Sequence, residues 1–254
     1  RDLRDLLNDD TELRRSNLAD EYAAFLAQKP RYDQVRWIGP DGRERVRVYR
    51  ADDGVAVAGP DALQDKAHRY YFAATMRLGA GEIYVSPLDL NVEHDRVEEP
   101  RKPTLRVAVP LFDAAGGRAG MLVVNYLAGP LLAELRALAV PDGNEPWLLN
   151  ADGHWLLGPD PDTEWGFMYP DRGDRTLAAR DPAAWRTLSQ DARGRLDRPE
   201  GVLTFERLYP LLAADRTGPA GAALSMPTSP SNYFWIVATH VPRARLQSEA
   251  AALA

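Results

Sequence analysis

Val35-Arg36-Trp37-Ile38-Gly39-Pro40-Asp41-Gly42-Arg43-Glu44-Arg45-Val46-Arg47-Val48-Tyr49 reads as an apolar strand, a turn, and a second strand in which Val46 and Val48 alternate with Arg45 and Arg47. The pattern returns at Trp147-Leu148-Leu149-Asn150-Ala151-Asp152-Gly153-His154-Trp155-Leu156-Leu157, around a second Asp-Gly turn. Each copy is followed by a helical stretch and then by a further antiparallel pair. The expected fold class is therefore α+β: two similar units in tandem, each an antiparallel sheet of about five strands with helices on one side.

Working outward, Leu3, Leu6, Leu7, Leu18, Tyr22, Phe25 and Leu26 recur at helical spacing until Pro30 stops the pattern. This predicts a long amphipathic helix of about 40 Å. It serves either as an ordinary core helix or as a stalk entering from a membrane span. Asp61 with Gln64 three residues on predicts a helix from Asp61 to about Leu78, ended by Gly79 and Gly81. Glu82 to Ser86, Thr104 to Phe112 and Gly120 to Tyr126 read as strands, with a charged loop from Glu93 to Lys102. Leu127 to Leu138 reads as a helix leading out of the first unit, and Pro141-Asp142-Gly143-Asn144 marks the boundary. The second unit predicts a helix opened by Asp181-Pro182, strands at Val202 to Leu208 and Tyr233 to His240, and a Gly/Pro-rich loop from Ala213 to Ser231. A closing helix follows Pro242. The expected division is residues 1–29 for the first helix, 30–138 and 139–242 for the two units, and 243–254 for the last helix.

A chain of 254 residues, 45% hydrophobic, suits two modest cores. Its 31 basic and 37 acidic residues are mixed along the whole length, which leaves no electrostatic footprint for nucleic acid. The absence of cysteine excludes disulfides and thiolate chemistry. Apolar runs fall far short of the roughly 20 residues that cross a bilayer. The helical ends read as those of an extracytoplasmic loop whose flanking membrane spans have been removed.

No nucleophile motif, phosphate loop or metal-ligand spacing is present, so neither an enzyme nor a bound metal or cofactor is expected. His68, His94, His154 and His240 are scattered, and Asp160, Asp162 and Glu164 lack the glycine and terminal glutamate of a calcium loop. The tryptophans Trp147, Trp155, Trp165 and Trp185 read as core rather than as a sugar platform. What remains is one sheet face that is unusually polar, where Tyr84 and Ser86 point opposite to Ile83 and Val85 and Arg106 opposite to Leu105 and Val107. With Arg69 nearby, two guanidinium forks would hold a carboxylate or phosphate, and the tyrosines would add hydrogen bonds. The same residues also read as internal pairs, Arg69 with Asp65 or Asp89, and a solvated Arg106.

The runs Asp65-Lys66-Ala67-His68-Arg69-Tyr70-Tyr71-Phe72, Gly81-Glu82-Ile83-Tyr84-Val85-Ser86-Pro87-Leu88-Asp89 and Arg106-Val107-Ala108-Val109-Pro110-Leu111-Phe112-Asp113 resemble the membrane-distal half of double Cache sensors. These are tandem PAS-like extracytoplasmic domains of bacterial histidine kinases, diguanylate cyclases and chemoreceptors. Trp147 to Asp152-Gly153 and Glu164-Trp165-Gly166-Phe167-Met168 resemble the membrane-proximal half of the histidine-kinase branch. The resemblance implies that residues 30–138 bind a small polar or anionic molecule and relay the event through helices to the cytoplasm. It also implies a receptor anchored in the inner membrane with its sensor in the periplasm, acting as a homodimer. The implied ligand-binding residues are Arg69, Tyr70, Tyr71, Tyr84, Ser86, Asp89, Arg106 and Asn125. Asn125 stands where amino-acid-binding members carry an Asp for the ligand's ammonium, and an amide supplies no negative charge, which counts against the usual amino-acid specificity. A cyclase or chemoreceptor sensor, and a protein-interaction module with a vestigial pocket, are the alternatives.

Overall fold

The computed structural model describes residues 11–139, 143–210, 223–225 and 233–252. They divide into two compact units, Arg1–Ala128 with Gly218–Pro227, and Gly129–Thr217 with Thr228–Ala254. The division thus falls at Ala128/Gly129, ahead of the expected boundary.

In the first unit, α1 (Glu12–Gln28) opens on Thr11, whose hydroxyl accepts from the Arg14 amide at 3.4 Å. Leu18, Ala19, Tyr22 and Leu26 share one side of the helix at three- and four-residue spacing and are buried. They pack on Val35 and Trp37 of β1 (Tyr32–Ile38) and on Val46 and Val48 of β2 (Glu44–Ala51). Each such side chain contributes about 1.5–3 kcal/mol by leaving water. α1 is therefore a core helix; its expected start at Leu3 to Leu7 lies outside the described residues.

The remaining elements are β3 (Gly54–Val57), α2 (Tyr70–Thr75), β4 (Glu82–Val85), β5 (Asp89–Leu90), the hairpin β6 (Val92–Glu93) and β7 (Arg96–Val97), and the long pair β8 (Pro103–Phe112) and β9 (Arg118–Leu127). A late segment, β14 (Ala223–Ser225), joins the same sheet. The strand order is β14-β4-β8-β9-β1-β2-β3, with β5 also on β8. All neighbours are antiparallel except β14, which runs parallel to β4. At Gly120, φ is +117° and an added Cβ would fall 2.1 Å from the Ile38 carbonyl, so only glycine lets β9 approach β1 there.

Two expectations fail here. The helix from Asp61 is replaced by one 3-10 turn (Pro60–Ala62) without a side-chain cap, and the α-helix is confined to α2. Residues beyond the turn are held extended by the first hairpin: the Glu44 amide donates to the Gln64 carbonyl at 2.9 Å and the Lys66 amide to that of Gly42 at 2.8 Å. Nor do the helices lie on one side. α1 covers one face of the sheet, while Tyr71 and Leu78 pack on Ile38, Tyr84, Ala108, Met121 and Val123 of the other.

The second unit contains α3 (Gly129–Ala139), β10 (Glu145–Leu149), β11 (Trp155–Leu157), α4 (Leu177–Arg180), α5 (Pro182–Gln190), β12 (Arg193–Arg198), β13 (Gly201–Leu208), β15 (Trp235–Pro242) and α6 (Arg243–Ala252). Its antiparallel sheet, β11-β10-β15-β13-β12, repeats the order β2-β1-β9-β8-β4 of the first. Asp181 caps α5 by accepting from the Ala184 amide at 2.9 Å, with Pro182 in the first turn. Trp147, Leu149, Trp155, Leu188, Leu203, Phe205 and Ile236 form its core.

Candidate functional site

The face of the first sheet turned away from α1 is apolar at one end and ionic at the other. Strand alternation brings Gln34 and Arg36 of β1, Arg47 of β2, Thr104 and Arg106 of β8 and Asn125 of β9 onto it. The register sets Asn125 opposite both Gln34 and Arg106. Arg36 and Arg106 are each only 1% exposed, so neither guanidinium can rely on water.

Each is neutralised from within. Arg106 forms an ion pair with Asp89, and its Nη1 also donates to the Tyr70 hydroxyl at 3.3 Å. Tyr70 in turn donates to Asp89 at 2.6 Å. The other Arg106 nitrogen donates to the Asn91 side chain at 3.3 Å, which also accepts from Asn125 at 3.2 Å. The Asn125 oxygen accepts from Arg36 at 2.7 Å, and Glu44 lies 3.6 Å from the same guanidinium. Between the two arginines stands the Tyr71 ring, 5.7 Å from one guanidinium carbon and 5.3 Å from the other. The Tyr71 hydroxyl accepts from Arg36 at 3.4 Å.

Glu93 closes the network. It accepts from Gln34 at 2.9 Å, Gln64 at 2.8 Å and Asn91 at 3.1 Å, and pairs with Arg47 and Lys66, both at 3.4 Å. Burial alone would raise its pKa, but the charges of Arg36 and Lys66 and the amide hydrogen bonds outweigh that and hold the carboxyl well below its usual range. Asp33 goes the other way: burial raises it, and Lys102 at 3.5 Å offsets only part of the rise. Burial disfavours charge on Arg106, yet Asp89 and the phenols beside it shift its pKa upward.

The sequence candidates thus separate. Tyr70, Tyr71, Asp89, Arg106 and Asn125 meet in one network. Tyr84 is buried in the apolar end of the face. The Ser86 hydroxyl accepts from the Arg106 amide at 2.8 Å and donates to the Pro87 carbonyl at 2.7 Å, so it fixes the chain after β4. Arg69 is half-buried at the start of α2 and its side chain pairs with no described residue; the ion pair with Asp65 or Asp89 is not formed. Asp89 pairs with Arg106, which is buried and not solvated. Arg36, Glu44, Asn91 and Glu93 were not anticipated, although Gln34 and Arg36 alternate with Val35 and Trp37 just as Arg106 alternates with Leu105 and Val107.

Beside this network opens a cavity of about 360 Å³, lined by Gln34, Arg47, Tyr49, Arg50, Glu98 and Lys102 among others. That is within the range of small-molecule sites. Arg50 reaches from its wall to the end of α1, where its guanidinium donates to the carbonyls of Leu26, Lys29 (3.1 Å) and Tyr32 (2.9 Å).

The other singled-out groups have local roles. Asp160 orders its own turn by accepting from the Asp162 amide at 2.9 Å, and Glu164 pairs with Arg136 at 2.7 Å. Among the described residues there is no group of three or more His, Asp or Glu placed to hold a metal ion, and no helix long and apolar enough to cross a membrane.

The family model for the sensor domain of bacterial histidine kinases matches residues 1–214. No curated protein matches the chain significantly. Among solved structures, the extracellular domain of a protein described as a histidine kinase, vpHK1S-Z8, superposes with a TM-score of 0.77 at 19% identity, covering 98% of this chain and 82% of that one. A domain from a protein of the sensory box/GGDEF family of Vibrio parahaemolyticus gives 0.77 at 19% identity, covering 97% and 85%. The ligand-binding domain of the Pseudomonas aeruginosa amino-acid chemoreceptor PctC, in complex with GABA, gives 0.52 at 16% identity, covering 93% and 84%.

Proposed function

This chain belongs to the bacterial histidine kinase sensor domain family, and from that premise we propose that its first unit binds a small polar or anionic molecule outside the cytoplasm. The ligand enters the cavity beside Gln34, Arg47, Glu98 and Lys102, with Tyr70, Tyr71, Asp89, Arg106 and Asn125 forming the rigid network behind it. The module itself performs no chemistry. Its parent is held in a membrane by spans outside these residues and acts as a homodimer.

One observation carries this reading: Arg50 both lines the cavity and hydrogen-bonds the last carbonyls of α1. A ligand that takes up the Arg50 guanidinium releases the helix end, and the strength of the signal is limited by the difference in ligand affinity between the held and released forms. The similarly folded chemoreceptor domain complexed with GABA supports a ligand of that size. A cyclase or chemoreceptor output fits the same geometry.

A thermal-shift screen of small carboxylates, phosphates and zwitterions on the 254-residue chain tests the proposal. A true ligand at a hundred times its dissociation constant stabilises by about 2.7 kcal/mol, and Lys102→Ala weakens it. A screen without hits, or a hit indifferent to Lys102→Ala and Arg47→Ala, overturns it.

A further inference from the structure

Five side-chain donors converge on one carboxylate, that of Glu93 in β6. Its Oε1 accepts from Gln34 at 2.9 Å and Asn91 at 3.1 Å, and its Oε2 from Gln64 at 2.8 Å and from Arg47 and Lys66 at 3.4 Å each. They outnumber the roughly four lone-pair directions that a carboxylate offers, and they come from β1, β2, the stretch before α2 and the link between β5 and β6. The carboxylate is also reachable. Glu93 stands in the wall of the cavity of about 360 Å³ together with Gln34 and Arg47, and its side chain is 17% exposed.

The donors have anchors besides Glu93. Arg47 also donates to the Ala62 carbonyl at 3.0 Å and lies 3.8 Å from Glu44, Lys66 donates to the Gln64 side chain at 2.8 Å, and Asn91 donates to Glu98 at 2.8 Å. Glu93 itself rides on a loosely held hairpin. β6 and β7 pair with each other, and among the described residues no backbone hydrogen bond joins residues 92–97 to the large sheet. The hairpin turns through His94 and Asp95 at φ +49° and +59°, left-handed backbone that glycine or asparagine usually supplies. Its other polar ties among the described residues are the His94 amide to Gln64 at 3.3 Å and Asp95 to His68 at 3.0 Å. The second of these joins side chains 77% and 55% exposed, where solvent screens it.

Resting on the reading of this cavity as the ligand's entry, we infer that the cradle is the ligand's carboxylate subsite, filled from within by Glu93, and that a small organic carboxylate exchanges with it and frees the β6–β7 hairpin. The exchange conserves bonding, since one carboxylate takes the donors of another while Glu93 turns to water. A neutral amide is no substitute, because its NH₂ would meet the amide donors of Gln34, Gln64 and Asn91. Glu93 is thus an internal competitor that sets the ligand concentration at which the hairpin is released.

The test follows thermal unfolding of the 254-residue wild type, Glu93→Ala and Glu93→Gln as formate or acetate is added at constant ionic strength, with acetamide as the neutral control. Glu93→Ala should melt below wild type and recover saturably with either acid and not with acetamide. Wild type should respond far less, because its own carboxylate competes at intramolecular concentration. Adding Arg47→Ala to Glu93→Ala should weaken the rescue roughly tenfold. Glu93→Gln keeps the shape of the side chain without its charge and carries the same test should Glu93→Ala not fold: acetate should raise its melting temperature more than that of wild type. Amide exchange at residues 92–97 should be faster in acetate-rescued Glu93→Ala than in wild type, since the cradle is then filled without tethering the hairpin. Equal responses in wild type and variants, rescue by acetamide, no carboxylate response in either variant, or equal protection of residues 92–97 overturns the inference. A wild-type screening hit that depends on Lys102, with both variants indifferent to formate and acetate, would overturn it and leave the cavity as the ligand site. Rescue without any screening hit would uphold the cradle and overturn that wider reading.

Discussion

The carboxylate of Asp89 neutralises the guanidinium of Arg106 in the interior of the first unit, with side chains 7% and 1% exposed. An ion pair so placed contributes little over two well-packed apolar residues, but removal of one member leaves the other charged and dry. Asp89→Ala is therefore expected to destabilise the chain by about 3–5 kcal/mol in urea unfolding. Replacing both residues with apolar ones of similar volume should cost far less, and equal losses in the two variants would contradict this account.

Arg50 donates to the Leu26 and Lys29 carbonyls at the end of α1, adding charge-assisted bonds to the backbone ones those carbonyls already accept. Arg50→Ala should cost about 1–3 kcal/mol and accelerate amide exchange in residues 24–29, with little change at β8. Unchanged exchange there would remove Arg50 as the link between cavity and helix.

Glu93 is depressed below its unfolded value, so the sign of its linkage is fixed. Its contribution is fully present above the unfolded carboxyl pKa of about 4.3 and is lost as pH falls through the folded value. Wild type should lose stability steeply on acidification below that point. Glu93→Gln should be less stable at pH 7, with the gap closing as the pH falls; parallel stability curves would refute the assignment.

Asp181 has two duties in the second unit, capping α5 and pairing with Arg198. Asp181→Ala should lower stability by about 1 kcal/mol from the cap, as measured by thermal unfolding. Asp181→Ser retains a capping oxygen and should recover most of that loss.

Much of the architecture was legible because it rests on local chemistry. The Val35 to Tyr49 hairpin, the β8–β9 pair and the Asp181-Pro182 helix start are set by alternation, turn residues and capping. The helix expected from Asp61 was not, because the hydrogen bonds that hold Gln64 and Lys66 extended come from Glu44 and Gly42 of the first hairpin, twenty or more residues earlier. β12, Arg193-Gly194-Arg195-Leu196-Asp197-Arg198, carries too little apolar pattern to announce itself and exists through its register with β13. In the site, Asp89, Arg106 and Asn125 could be proposed from a motif and a polar strand face. Arg36 was hidden because both faces of β1 are buried, so its alternation with Val35 and Trp37 does not report exposure. Arg69 sits in the same recognisable run, but at the N-cap of α2 its side chain makes no pair within the network.

β14 gives the architecture a practical consequence. Residues 218–227 belong to the first unit although they follow four strands of the second, so the modules are not contiguous stretches of gene. Expression of residues 1–128 alone would yield a sheet one strand short, with the outer edge of β4 bare and open to intermolecular pairing. Dissection of this protein into halves therefore has to carry the late segment along, as a circular permutation or a co-expressed peptide, before the binding properties of either half can be compared with the whole.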